Sequence, residues 1–163
     1  MLSMSISRRV LLGSAAITPL FGLVDCATTP SAPTAMVQTD LALLANALQA
    51  LGPLVNTAPG SAAVFAQVAS ALAAVQQAMA AATSAATSAT VATLTSLLTT
   101  LGPAIIGLFP GGGTAVTIVQ AVISLLPELE ALVGIASVAP NRPIYMTPAM
   151  AHGLLAVLPP ARE

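Results

Sequence analysis

"LALLANALQALGPLV", residues 41–55, places leucine or valine at positions 41, 44, 48, 51 and 55. Steps of three and four return to one side of a 3.6-residue helix, whereas a half-buried strand would alternate at every second residue. The stretch predicts a helix with a single apolar stripe. Thr39 or Asp40 is suited to cap its start, and Gly52-Pro53 to end it.

The same rhythm recurs along the chain. After a break at "NTAPGS" (56–61) come Val64, Val68, Leu72, Val75 and Met79, with Gln67, Ser70, Gln76 and Gln77 around them. The island "AAATSAATSATVAT" (80–93) is rich in alanine, which favours helix, and in Ser and Thr, which weaken it modestly. It reads as a helix with a narrow small-residue face, or else as a loosely packed alanine helix or a linker. Val91, Leu94, Leu98 and Leu101 carry the stripe to Gly102-Pro103, and "PGGG" (110–113) forms a turn. From Thr114, the series Val119, Val122, Leu126, Leu129 and Val133 predicts another helix. Pro127 either kinks it or opens a new helix, with Glu128 and Glu130 near the favourable positive end of the dipole. Residues two apart on a helix point roughly 200° away from each other. These carboxylates are therefore expected as a solvated pair, not as an acid/base couple. Near the C-terminus Thr147 is a natural N-cap, Pro148 a natural first residue and Pro159-Pro160 a stop, with His152 between them as a surface or locally satisfied residue. The expected fold is all-α: a small bundle of about four helices over residues 39–163.

Composition narrows function by exclusion. Only 6% of the 163 residues are charged, against about 25% in ordinary soluble domains. After Cys26 the charged side chains are Asp40, Glu128, Glu130, Arg142, Arg162 and Glu163, and none falls between Leu41 and Pro127. Without any lysine, a phosphate loop of the GK[ST] kind and Schiff-base chemistry are excluded. Two arginines and one tyrosine beyond Cys26 make no footprint for nucleic acid. One histidine and one cysteine do not supply a zinc-type ligand set in sequence spacing, and no GxSxG elbow supports a triad on His152. No residue is assigned to catalysis, to a cofactor or to a metal. The expectation is a non-enzymatic protein without cofactors.

The N-terminal segment has a different character. Residues 1–9 carry Arg8 and Arg9 with no acid nearby, and Val10–Val24 is a fifteen-residue uncharged run. That run is short for a bilayer span of about 20 residues, and Gly13, Ser14, Thr18 and Pro19 dilute it. "SRRVLL" resembles the bacterial twin-arginine export signal, Ser/Thr-Arg-Arg-x-Phe-Leu-Lys. Ser7, Arg8, Arg9 and Leu12 match it, while Leu11 stands for the Phe and Gly13 for the Lys. "GLVDC" is similar to a lipobox at Leu23, Val24 and Cys26, with Asp25 where that family has a small residue.

The resemblance implies export of a folded chain to the periplasmic side of the cell envelope. It also implies lipid attachment at Cys26 as the first residue of the mature protein. The residues alone leave Cys26 open as an ordinary thiol or as part of a discarded signal, and the whole segment open as an uncleaved anchor. Residues 1–26 are thus read as export signal and lipobox. Residues 27–38, rich in Thr, Ser, Pro and Ala, are read as a flexible tether.

The functional expectation is an exported envelope protein of structural or protein-interaction type, lipid-anchored at the membrane. Low charge gives little protection against association, so self-association or an envelope protein partner is expected, and nucleic acid is not. One alternative embeds helices 91–109 and 114–126 in the membrane as a hairpin across the glycine loop. A second is a carrier of a small apolar ligand held between alanine-rich helices.

Overall fold

In a computed structural model of the chain, the described residues are 32–81, 84–136 and 141–159. Arg8, Arg9, Asp25, Cys26 and tether residues 27–31 lie outside them. Among the described residues there are five helices and no strand: α1 (Ala32–Asn56), α2 (Ala62–Ala80), α3 (Ser84–Leu108), α4 (Thr114–Leu132) and α5 (Pro148–Ala156). The protein is all-α, and its helices share one apolar core.

The α1 stripe lies where its periodicity predicts, with Leu41, Leu44, Leu48, Leu51 and Val55 all buried. A leucine fully removed from water contributes about 1.5–3 kcal/mol, so this face secures α1 on the rest of the bundle. The helix starts earlier than expected. Residues 32–38, read as tether, are helical, and the compact unit begins at Pro33. Proline is tolerated in a first turn, whose N–H groups lack intrahelical partners in any case. Ala35, Met36 and Gln38 favour helix, and Val37 is buried. Thr39 is accordingly no cap, and its hydroxyl donates to the Ala35 carbonyl at 2.9 Å.

Gly52-Pro53 and Gly102-Pro103 do not end their helices, and Pro127 opens no new one. Pro53, Pro103 and Pro127 all lie inside continuous helices. An interior proline costs about 3 kcal/mol through a lost N–H bond and a clash with the preceding turn. Two residues after each one stands a buried apolar side chain: Val55, Ile105 and Leu129. The prolines themselves face outward, so the disrupted turn lies towards solvent while the buried residue holds the backbone down.

On α2 the buried face is rotated from the expected stripe. Val68, Ala71, Ala74, Val75 and Ala78 are buried, Val64 and Leu72 flank them, and Met79 is exposed. Small side chains let backbones approach, and α2 lies close to α3, as α3 does to α4 and α4 to α5. On α3 the expected stripe Val91, Leu94, Leu98 and Leu101 is buried and continues to Ile105. A Cβ at Gly102 would lie 2.6 Å from Cδ1 of Ile123, which shows how tightly α3 meets α4.

The Ser/Thr-rich island is helical from Ser84 onward. Hydroxyls there and beyond it on α3 bond back along the helix, as with Thr93 to Ala89 O at 3.1 Å and Thr99 to Thr95 O at 2.7 Å. Ser88 instead reaches the Val133 carbonyl at 3.1 Å and ties α3 to the end of α4. α4 is the central element, buried on most of its circumference from Ala115 to Glu130, as an all-round apolar helix should be. The Thr147 cap and Pro148 start of α5 are as expected, with Met150 N–H donating to Thr147 Oγ1 at 3.4 Å.

Candidate functional site

The four charged side chains of the described residues, and His152, gather into two clusters beside the last turns of α4. Glu128 and Glu130 point to different sides of that helix, and each meets a separate set of partners. The expectation of a solvated pair at a helix N-terminus is corrected in its position and, for Glu130, in its solvation, since Glu130 is 2% exposed while Glu128 is 42% exposed. Because α4 runs on through Pro127, these carboxylates lie near its C-terminal end, where the dipole disfavours negative charge. Cationic or hydrogen-bonding partners are what such a position requires.

Glu130 has Arg142. Arg142 Nη2 donates to Glu130 Oε1 at 2.6 Å, and the two side chains are only 4% and 2% exposed. The chain returns to this point through a glycine cap. Gly134, at φ +71°, donates its N–H to Ala131 O, while Ile135 N–H donates to Glu130 O. This paired bonding closes α4 and needs the left-handed conformation that glycine adopts without strain. Residues 141–147 are then pinned on α4 by Met146 N–H donating to Ser124 Oγ at 3.3 Å, with the Ser124 hydroxyl donating in turn to Gln120 O.

Glu128 faces the second cluster. His152 Nε2, on α5, lies 3.3 Å from Glu128 Oε2 and 3.6 Å from Asp40 Oδ1 on α1. The Asp40 side chain is 7% exposed, whereas those of His152 and Glu128 are 33% and 42% exposed. The cluster forms one wall of a cleft of about 330 Å³, bordered also by Met36, Thr39 and Leu132. Burial pushes the Asp40 carboxyl above its ordinary value of 3.8; the His152 charge opposes this and the Glu128 charge adds to it.

A raised pKa in the folded chain means that the fold binds this proton more tightly than the unfolded chain does. Asp40 therefore costs stability as pH rises above the ordinary carboxylate range. In metal-free buffer, Asp40→Asn is expected to remove that loss. The variant should gain on the wild type between pH 4 and pH 7 in urea unfolding, and an unchanged difference across the range would refute the assignment.

Sequence spacing gave no sign of either cluster. His152 lies 24 residues from Glu128, and Asp40 belongs to the first described helix. Only the folding of α1 and α5 onto the same end of α4 brings the three together. A second concavity, of about 460 Å³ between α1 and α2, is lined by Leu48, Gly52, Phe65, Val68 and Leu72 and lacks charge. No protein-family model, curated protein or solved structure matches this chain. Function has to be read from these residues.

Proposed function

We propose that this is an exported, non-enzymatic protein of the cell envelope with a structural or interaction role, held at the membrane by lipid on Cys26. The observation that carries the reading is the distribution of charge. Among the described residues every charged side chain is engaged beside α4, and the outward faces of α2 and α3 are mainly Ala, Ser, Thr and Gln. A surface of that kind resists association weakly, which favours contact with a protein partner or a second copy. The leucine stripes are satisfied in one shared core. That supports a folded bundle at the end of an N-terminal anchor, a cargo of the kind twin-arginine signals carry.

A second reading has an observation in its favour. Ala62–Ala80, Thr87–Leu108 and Thr114–Leu132 are long and apolar enough to cross a membrane. Against it, the third carries Glu128 and Glu130, and removing even paired charges from water costs several kcal/mol per ion.

Intact mass and membrane fractionation in a bacterial host, comparing wild type with Cys26→Ser, distinguish the two. The tethered bundle predicts a diacylglyceryl mass on a chain that starts at Cys26, with both the mass and membrane association lost in the variant. An unmodified chain whose Cys26→Ser variant still resists carbonate extraction would overturn the proposal in favour of embedded helices or an uncleaved anchor.

A further inference from the structure

We propose that Asp40, Glu128 and His152 form a binding site for one divalent transition-metal ion, with Zn2+ the favoured occupant, that fastens α1 and α5 to α4. Scarcity of His and Cys argues against a metal only when ligands are counted by those residues. Carboxylate oxygens serve equally, and one imidazole with two carboxylates is a sufficient protein ligand set that leaves a position for water.

The geometry is close to what the ion needs. Ligand atoms about 2.0–2.1 Å from a tetrahedral Zn2+ lie about 3.3–3.4 Å from one another. His152 Nε2 stands 3.3 Å from Glu128 Oε2 and 3.6 Å from Asp40 Oδ1. One ligand atom from each of the three residues lies within 4.8 Å of the other two. Small side-chain movements bring all three to bonding distance without moving a helix.

The Asp40 carboxylate supplies an independent reason. It is more than nine-tenths buried and aimed into the cluster, yet His152 stands at 3.6 Å, outside hydrogen-bond distance. The His152 ion pair is long for so buried a carboxylate, and a cation held between the two side chains would balance its charge more closely. With the imidazole neutral, the form that ligates metals, the cluster carries two negative charges, which a divalent cation balances. The cleft bordered by Met36, Thr39 and Leu132 provides an entry path. Ca2+ fits less well, because it takes 6–8 oxygen ligands, whereas imidazole suits zinc and its neighbours.

The test is calorimetric titration of Zn2+ into the chelator-stripped full chain, with melting curves beside it. One Zn2+ per chain and a higher melting temperature are expected. Glu128→Gln and His152→Ala should each weaken binding by more than about 100-fold, since even outer-shell losses cost about 10–100-fold, and each should abolish the thermal shift. Glu128 is substantially exposed, so its variant retains the helical circular-dichroism spectrum and isolates the ligand effect. Cys26→Ser should bind as the wild type does. Absence of binding to the wild type overturns the proposal. So does binding that survives both ligand variants or disappears with Cys26→Ser.

Discussion

Glu130→Ala is expected to lower the free energy of unfolding by about 3–5 kcal/mol, the cost of breaking a buried ion pair by removing one member. Both side chains are almost wholly removed from solvent, so Arg142 would keep its buried charge without its 2.6 Å partner. A domain of this size is stable by about 5–15 kcal/mol, so the variant loses a large part of its margin. Arg142→Ala should do the same from the other side. The Glu130→Met/Arg142→Met double variant should lose less than the sum of the single losses, because neither charge is then stranded. Glu128→Ala serves as the comparison. It lies two residues away but is 42% exposed, and in metal-free buffer its loss should stay within about 1 kcal/mol. Urea unfolding of the set decides the matter: equal losses at 128 and 130 would mean that Glu130 is solvated after all.

Leu126→Ala should cost about 2–5 kcal/mol, whereas Met79→Ala should cost less than about 0.5 kcal/mol. Both residues belong to stripes of the same three-four rhythm. Leu126 is wholly enclosed on the central helix, so truncation leaves a cavity; Met79 is 40% exposed, so its removal leaves none. Denaturant midpoints for the two variants measure the difference. A comparable loss at Met79 would restore the stripe of valines, Leu72 and Met79 as the packed face of α2, at the expense of its alanine face.

Local pattern is a good guide where one face of a helix is both apolar and large. That is why Leu41, Leu44, Leu48 and Leu51, and likewise Val91, Leu94, Leu98 and Leu101, are legible in order. The all-α class, the breaks at residues 56–61 and 110–113, and the Thr147-Pro148 start of α5 follow from the same short-range rules, because periodicity, turn residues and caps act within a few residues of one another. The opposite displacement of Glu128 and Glu130 around their helix is likewise a matter of local geometry.

Other features depend on neighbours distant in the chain. Proline breaks an isolated helix, and only the burial of Val55, Ile105 and Leu129 against other helices carries α1, α3 and α4 past Pro53, Pro103 and Pro127. Hydrophobicity alone ranks Met79 above Ala78, but close backbone approach selects the smaller side chain for the interior. Asp40 reads as a cap until α5 brings His152 to it. By itself the sequence determined the all-α class, the stripes of α1 and α3 and the scarcity of charge. The tertiary structure decided where those few charges meet, because a charge excluded from water must find its partner in space, wherever the chain has put it.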